Sequence, residues 1–294
     1  MSEAIVQIED LCVRYGRKVA LDSVSFDVEE GSLFALLGRN GAGKSSLIKC
    51  LLGHLRAASG RIEVLGLDPW KRRAQLMRRV GVVPETPDLP LGMSVGAVGK
   101  FCDSLGDFSL EQFRARLARH DLAENASIDE LSRGQQTQVQ LALALAGTPD
   151  LLVLDDPTLG LDAVARQEVF EELIDELSER EVSVLVTTHD LAGIESLATH
   201  VAFLREGQLM FTEEVERLKG RLRRVQLPKG ERPAGEVVRQ RSTPLGEEWI
   251  VSGGSSELGE PMTLEEIFVA LAGAEDGGYK GPENPTMDSR QGAA

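Results

Sequence analysis

Hydrophobic and polar residues alternate along the first part of the chain in a pattern that predicts β-strands. One strand is expected near residues 5–13, and two more are expected on either side of a turn at residues 29–31. A short hairpin is expected at residues 60–69, and a further strand at 79–83 is stopped by Pro84. The first part of the chain is therefore predicted to consist mainly of strands.

The spacing of apolar residues becomes helical between about Met93 and Ala146, where three segments show the repeat of amphipathic helices. Strands and helices then alternate again. An apolar run at residues 151–156 is followed by a helical segment at 165–180 and by a second apolar run at 182–190. Strands that alternate with helices predict an α/β fold on a largely parallel sheet, here interrupted by an all-helical insertion.

The sequence predicts three regions of different character. Residues 1–218 are expected to form the main domain, with the helical subdomain at about 93–146. Residues 219–273 are expected to form a small accessory region that closes with an amphipathic helix. Residues 274–294 are rich in Gly, Pro and charged residues, and we expect them to be disordered.

A glycine-rich loop separates the third predicted strand from the first helical pattern. Its sequence, GRNGAGKS, fits the phosphate-binding pattern G-x-x-x-x-G-K-[ST] without a mismatch. The glycines let backbone N–H groups surround phosphate oxygens, and the N-terminus of the next helix favours negative charge. We expect Lys44 to reach the β- and γ-phosphates and the Ser45 hydroxyl to bind Mg²⁺, although a plain glycine turn before a helix is the alternative. The residues expected to contact the nucleotide here are Gly38, Arg39, Asn40, Gly41, Ala42, Gly43, Lys44, Ser45 and Ser46.

Two carboxylates end the apolar run at residues 151–156. A buried strand that delivers paired carboxylates, here Asp155 and Asp156, to its carboxyl end can hold a metal ion and a water molecule. A second motif, LSRGQ at residues 131–135, lies between the glycine loop and these acids at the start of a predicted helix. With these motifs, the chain from about Ile5 to Lys219 resembles the nucleotide-binding subunit of an ATP-binding-cassette (ABC) transporter.

This resemblance implies a P-loop NTPase fold with a mixed sheet core, an antiparallel β subdomain and an inserted helical subdomain. It implies ATP and Mg²⁺ as cofactors. It also implies that Ser132, Gly134 and Gln135 contact the γ-phosphate of ATP held by a second copy of the chain, where a helix N-terminus suits a phosphate. Taken by itself, a serine before such a pattern is more commonly a simple helix N-cap, which is the alternative for Ser132.

The resemblance assigns roles to four further residues. Tyr15 takes the place of the aromatic residue that stacks on adenine, with an ordinary half-buried strand tyrosine as the alternative. Asp155 is expected to hold Mg²⁺ through water, and Asp162 lies in the loop that communicates across the dimer. His189 matches the histidine that contacts the γ-phosphate and orders the attacking water.

Two positions depart from the pattern of the family. Asp156 stands where glutamate usually polarises the attacking water, and its carboxylate falls short by about 1 Å, a misplacement that can cost about a hundredfold in rate. Glu85 stands where the family commonly has a glutamine that touches Mg²⁺ and the water. Two interpretations of Glu85 are open. In the first it is a solvated loop residue, or an alternative Mg²⁺ ligand without special consequence. In the second it helps Asp156 to position the water or the metal ion.

The composition of the chain limits the kinds of partner and site that can be expected. A formal net charge of −15 argues against nonspecific nucleic-acid binding, so nucleic acid is not expected as a partner. The 3 cysteines form no CxxC pair and are expected to be ordinary reduced thiols. We see no secretion signal and no apolar run near the ~20 residues that span a bilayer. A basic cluster at residues 71–79 is expected to be a solvated helix face, with contact to anionic lipid headgroups as the alternative.

The segments TLEEIFVAL, VPE and DPTLGLD resemble those of a bacterial branch of export-type cassettes that are encoded apart from their permeases. That branch is associated with the export of drugs, antibiotics, sodium or polysaccharides and with gliding. The expected function is an ATPase subunit that forms a homodimer around two ATP–Mg²⁺ and drives a separate transmembrane permease. Its expected location is the cytoplasmic face of the cell membrane, reached through that permease. The alternative is an ATP-gated dimerising module with negligible hydrolysis, whereas a soluble cassette of translation or DNA repair is disfavoured.

Overall fold

The computed structural model describes most of the chain, namely residues 4–180, 182–188, 191–244, 246–253 and 259–272. Two expectations from the sequence, the role of His189 and the disordered tail at 274–294, concern residues outside these ranges.

A six-stranded sheet lies at the centre of the molecule. In spatial order its strands are β5 (Val80–Val83), β6 (Leu151–Asp155), β7 (Ser183–Thr187), β3 (Leu33–Gly38), β8 (His200–Arg205) and β9 (Gln208–Glu214). The first five strands are parallel, and β9 runs antiparallel to β8. Strands β3, β6 and β7 are almost continuously apolar because elements of the fold cover both faces of the sheet. The mixed sheet expected from the sequence is confirmed.

A three-stranded antiparallel sheet covers one face of the central sheet. Its strands, in the order β2-β1-β4, are β1 (Ala4–Tyr15), β2 (Lys18–Glu29) and β4 (Ser59–Val64). The short hairpin expected at residues 60–69 is present only in minimal form: Val64 and Leu67 exchange two backbone hydrogen bonds of 2.9 Å, while the length of β4 pairs with β1. Leu65 and Gly66 have positive φ angles, as the central residues of a tight two-residue hairpin turn do, and the returning arm is the single residue Leu67.

The helical insertion expected from the sequence is present. Helices α3 (Val95–Ser104), α4 (Leu110–Arg119) and α5 (Arg133–Ala146) pack around their own apolar cluster. The other helices are α1 (Lys44–Leu51), α2 (Arg73–Leu76), α6 (Ala163–Arg180), α7 (Leu191–Ile194), α8 (Val215–Arg221) and α9 (Leu264–Ala272). Among the residues described, no helix has the length and apolar character needed to cross a membrane.

The C-terminal region builds a four-stranded antiparallel sheet. In the order β11-β12-β10-β13, it contains β10 (Leu222–Leu227), β11 (Glu236–Thr243), β12 (Gly246–Ser252) and β13 (Glu260–Pro261). Helix α9 packs on the central sheet, where Phe268 meets Phe203 edge-on with ring centroids 5.3 Å apart. The buried residues of α9 and of the central sheet belong to one hydrophobic cluster. The boundary between a main domain and an accessory region therefore stays a prediction.

Buried ion pairs join helix α4 of the insertion to helix α6. Nη1 of Arg116 donates to Oε1 of Glu172 at 2.6 Å, and Nη2 of Arg116 donates to Glu176. Nε2 of His120 lies 3.3 Å from Oε2 of Glu172, and this hydrogen bond raises the pKa of His120 above its usual value, against the opposing effect of burial. The junction between the insertion and the rest of the fold is therefore polar and sensitive to protonation.

Candidate nucleotide site

The parallel strands place three predicted functional segments along one edge of the central sheet. The glycine loop follows β3, Glu85 follows β5, and Asp155 ends β6 immediately before Asp156. Ligands of open α/β sheets bind beyond the carboxyl ends of the strands, because the loops that leave those ends converge there. The glycine loop and the two aspartates, more than a hundred residues apart in the sequence, therefore lie close together in space.

A cavity of about 920 Å³ opens at this edge, a volume sufficient for a nucleotide. Its lining brings together most of the glycine loop, both aspartates and Glu85, as the sequence predicts. The lining residues are Tyr15, Lys18, Val19, Ala20, Asn40, Gly41, Ala42, Gly43, Lys44, Ser45, Ser46, Glu85, Asp155, Asp156, Leu159 and Glu206. A second cavity of about 860 Å³ lies elsewhere, beside the amino ends of β3 and β8, and none of the predicted site residues lines it.

The conformation of the loop requires its glycines. Gly43 has a φ of 112°, and a Cβ there would lie 2.5 Å from Cδ2 of Leu21 and 2.7 Å from the carbonyl oxygen of Ala20. Gly41 also has a left-handed φ, of 82°. Only glycine adopts such angles without strain, and the loop can therefore present its backbone at the N-terminus of α1.

Lys44 is held inside the loop by main-chain oxygens. Its Nζ donates to the carbonyl oxygen of Gly38 at 2.6 Å and approaches that of Arg39 at 3.5 Å. Burial lowers the pKa of Lys44, and the charges of Asp156, Asp155 and Glu85 oppose this effect. A partly desolvated ammonium group at the base of a cavity favours a polyanionic ligand, because a phosphate replaces the lost hydration.

A single hydroxyl organises the two aspartates. Thr187, at the end of β7, donates from Oγ1 to Oδ1 of Asp155 at 2.7 Å. The backbone N–H of Asp156 donates to the carbonyl oxygen of Thr187 at 2.9 Å and contacts its Oγ1 at 3.0 Å. Thr187 was not among the residues predicted from the sequence, although a hydroxyl residue at the end of an apolar strand is a usable local signal.

Asp156 is buried and has a left-handed backbone, with a φ of 52°. Asp and Asn are several-fold enriched in this conformation among residues other than glycine. Pro157 follows, and a residue before proline ordinarily takes extended angles, so the surrounding fold must hold this turn. The short side chain of Asp156 therefore matches its backbone as well as its place beside the cavity.

Ser45 and Asp155 fit the magnesium ion of a bound nucleotide. Both line the cavity, and Asp155 is only half-buried. In the part of the chain that the structure describes, no group of three or more His, Cys, Asp or Glu is arranged to hold a metal ion. Magnesium bound to a nucleotide uses phosphate oxygens and water as its other ligands, so one hydroxyl and one carboxylate are sufficient.

Tyr15 lines the cavity next to the hairpin between β1 and β2. Its ring is 46 % exposed, and its hydroxyl lies 3.4 Å from Oγ of Ser46. Val19 adds an exposed apolar surface to the same wall. An aromatic ring open to the cavity favours stacking on a base over burial in a core, and that role stays a prediction.

LSRGQ begins helix α5 with a capping box. Oγ of Ser132 accepts from the N–H of Gln135 at 3.2 Å, and Oε1 of Gln135 accepts from the N–H of Ser132 at 2.9 Å. The simple capping role considered for Ser132 is therefore present. Gly134 packs closely on α6, since a Cβ there would lie 3.2 Å from Cβ of Ala165. None of these three LSRGQ residues is among the described residues that line the cavity.

Asp162 caps helix α6. Its Oδ1 accepts from the N–H groups of Val164 at 3.0 Å and Ala165 at 2.9 Å. The lining of the cavity, as far as the structure describes it, does not include Asp162. Its expected place in the contact between two copies stays a prediction, as does the role of His189, which lies outside the described residues.

The basic cluster at residues 71–79 belongs to the exposed surface. Only α2 is helical there, so the expected helix face is reduced to one turn. Lys71 pairs with Asp68 at 2.8 Å, and Arg79 pairs with Asp150 at 2.5 Å. Solvated surface ion pairs thus account for much of the cluster.

Comparison with known proteins identifies what the chain is similar to. The family model described as ABC transporter matches residues 21–159. The Nod factor export ATP-binding protein I of Cupriavidus metallidurans is 31 % identical over 92 % of this chain and 98 % of its own length. The bacitracin transport ATP-binding protein of Bacillus licheniformis is 28 % identical over 90 % of this chain and 89 % of its own length.

Solved structures give the same picture of the fold. A structure described as the ATP-binding subunit of an ABC transporter has a TM-score of 0.67 and 25 % identity, and the match covers 74 % of this chain and 92 % of that one. A dimeric post-hydrolysis ATP-binding cassette bound to ADP and Pi has a TM-score of 0.63, with 71 % and 98 % of the two chains covered. At 20 % identity this second likeness shows the fold alone.

Proposed function

The chain belongs to the ABC transporter family of ATP-binding subunits, which are ATPases, and we propose that it powers export through a separate membrane permease. Two relatives are named for the export of Nod factor and the transport of bacitracin. The observation that carries the proposal is the convergence of Lys44, Ser45, Asp155 and Asp156 at one cavity. These are the groups that phosphoryl transfer from ATP to water needs.

Each group at the cavity has a distinct task in the proposal. The loop N–H groups and Lys44 bind the phosphates, while Ser45 and Asp155 hold the magnesium ion. The ion supplies positive charge that offsets the charge of the phosphates when it is bound. Tyr15 stacks on the adenine ring. The catalysis is mainly electrostatic and positional, because a transferring phosphoryl group needs little covalent help.

Asp156 is the proposed base for the attacking water, with Glu85 sharing the positioning of water or metal. Both line the cavity, Asp156 from a buried position and Glu85 from an exposed one. His189 follows β7, whose end already carries Thr187 against Asp155. We assign His189 to the γ-phosphate, in keeping with its place in the sequence after that strand.

Two copies of the chain enclose two ATP molecules in the proposed active state. The start of α5 supplies N–H groups that have no partner within the helix, because the first residues of any helix lack one. The capping box uses the N–H groups of Ser132 and Gln135 and thereby orients the helix. The N–H of Gly134 and the helix dipole can then receive the γ-phosphate held by the other copy. Asp162 lies beside this contact in the proposal.

An apolar groove supports docking of the permease. A cavity of about 500 Å³ between β5, α3 and α5 is lined by Val82, Leu89, Phe101 and Leu105. Phe101, on α3, is 58 % exposed, and Leu105, the C-cap residue of that helix, is 70 % exposed. Exposed apolar residues grouped at a groove mark an interaction site. Docking there places the chain on the cytoplasmic face of the membrane.

The proposal is tested by ATP hydrolysis with and without a permease encoded beside this chain. We expect Mg²⁺-dependent turnover that the permease stimulates, and loss of turnover in Lys44→Ala. Phe101→Asp should abolish the stimulation and keep basal turnover, while Val237→Asp, on exposed strand β11, serves as the matched control. ATP-dependent dimerisation with no stimulated hydrolysis would instead favour the ATP-gated module.

A further inference from the structure

Arg133, the third residue of LSRGQ and the first of α5, contacts two segments that are distant in the sequence. Its Nη2 donates to the backbone carbonyl oxygen of Glu85 at 3.1 Å. The same guanidinium covers Gly160, because a Cβ there would lie 3.0 Å from Nη1 and 3.3 Å from Cζ of Arg133. One side chain therefore joins the start of α5 to the loop after β5 and to the turn after β6.

The turn at Gly160 is directly attached to the proposed base. The N–H of Leu159 donates to the carbonyl oxygen of Asp156 at 3.0 Å. Gly160 has a φ of 76°, so the turn stays tight and exposes bare backbone to the guanidinium. Arg133 thus lies against the segments that position both Glu85 and Asp156.

We propose that Arg133 is a positioning residue that couples the two ATP sites of the dimer. The proposal rests on the sandwich dimer proposed above, in which the start of α5 faces the nucleotide of the other copy. A shift of the Glu85 loop or the Gly160 turn at a chain's own site is passed through Arg133 to its helix α5. That helix then changes its contact with the second nucleotide.

Arginine suits this task for a geometric reason. Its guanidinium covers the space above Gly160 while its Nη2 donates to the carbonyl oxygen of Glu85. A lysine has a compact ammonium group and cannot do both.

The experiment measures the ATP dependence of hydrolysis by the full chain. Loss of a coupling contact lowers the Hill coefficient toward 1, since the two sites then respond independently. We expect Arg133→Ala to do this and to lower kcat by about tenfold, because displaced catalytic groups lose rate steeply. Arg114→Ala, which removes an exposed ion pair with Glu124 in the same helical insertion, is the matched control and should behave as wild type.

The variant Gly160→Ala tests whether the contact of Arg133 with Gly160 matters, as distinct from the positive charge of Arg133. Its methyl group displaces the guanidinium but leaves the positive charge, so the variant should reproduce the effect of Arg133→Ala. The double variant should be no worse than either single one, because both remove the same contact. If Gly160→Ala does not fold, Arg133→Lys, which keeps the charge without the planar group, takes its place.

Three outcomes overturn the proposal. An Arg133→Ala variant with the wild-type Hill coefficient and kcat excludes coupling, and a Gly160→Ala variant with wild-type behaviour shows that charge alone matters. Light scattering of Asp156→Asn with ATP tests the dimer itself. If Asp156→Asn stays monomeric with ATP, both the sandwich dimer and the coupling are overturned. If it forms a dimer but Arg133→Ala has the kinetics of wild type, only the coupling is overturned.

Discussion

Oγ1 of Thr187 lies 2.7 Å from Oδ1 of Asp155 and donates a hydrogen bond to it. This bond fixes the carboxylate on its neighbouring strand before any ligand arrives. We expect Thr187→Val to lower kcat and weaken the apparent Mg²⁺ affinity by about tenfold or more, as loss of an outer partner of a metal ligand generally does. Titration of ATPase activity with Mg²⁺ measures both effects.

The matched control is Thr187→Ser, which keeps the hydroxyl and should retain most of the activity. Thermal unfolding should change little in Thr187→Val, because the N–H of Asp156 keeps its bond to the carbonyl oxygen of residue 187. Equal loss of activity in both variants would contradict a role for the hydroxyl.

Asp156→Glu tests the short reach of the proposed base. A longer side chain should raise kcat by up to about a hundredfold if misplacement limits the reaction. The left-handed φ of 52° opposes this gain, since a glutamate there costs about 1 kcal/mol more strain. We therefore expect faster turnover together with a lower Tm, measured by steady-state kinetics and thermal unfolding.

Asp156→Asn provides the comparison, because it keeps the length and backbone preference of the side chain but removes its basicity. We expect it to abolish hydrolysis and leave ATP binding intact. An unchanged or lower kcat in Asp156→Glu would count against the short-reach explanation.

Glu85→Gln tests whether a second carboxylate assists Asp156. Glu85 is exposed at the rim of the cavity, so its contribution should be smaller than that of buried Asp156. We expect kcat to fall by about tenfold, at the lower end of the range for outer partners of a metal site. Unchanged turnover in Glu85→Gln beside an inactive Asp156→Asn would show that the two carboxylates do not share the task.

The network around His120 predicts that stability depends on pH. The hydrogen bond to Glu172, with further help from the charges of Glu172 and Glu168, raises the pKa of His120 in the folded state. Protonated His120 stabilises the fold because its pKa is higher in the folded chain than in the unfolded chain. This stabilisation is fully present when the pH is below the pKa of the unfolded chain, near 6.5, and it is lost as the pH rises through the pKa of the folded chain. The junction of α4 and α6 should therefore weaken in mildly alkaline solution.

His120→Gln removes the titration. We expect wild type to exceed this variant in Tm by about 2–4 °C near pH 6, equivalent to about 1 kcal/mol, and the difference to shrink near pH 8.5. His54→Gln is the control of opposite sign, because burial and the nearby Arg73 and Lys49 lower the pKa of His54. A difference between wild type and His120→Gln that does not vary with pH would contradict the prediction.

Local patterns in the sequence were sufficient for much of the chemistry. The glycine loop was identified from the spacing of Gly38, Gly43 and Lys44, because phosphate binding needs those residue types at fixed positions within one short segment. The helical insertion followed from its apolar repeat in the same way. The paired carboxylates were also visible, since an apolar strand that ends in two acids is a local feature. The family resemblance then supplied the roles of Tyr15 and Asp162.

Contacts between distant segments needed the tertiary structure. The hairpin expected at 60–69 is present only as a tight turn, and β4 pairs mainly with β1, a distant partner that no local signal encodes. Thr187 was missed because its neighbour Asp155 lies on another strand, brought beside it by parallel pairing.

The sequence by itself determined which residue types carry the phosphate and metal chemistry, because each motif is short and contiguous. Only the tertiary structure decided how Asp156 is held, in a left-handed turn under Thr187, and what Arg133 touches. The reason is that backbone strain and contacts across strands depend on the whole fold. A side chain at the start of α5 meets Glu85 and Gly160 only after the insertion packs beside the central sheet.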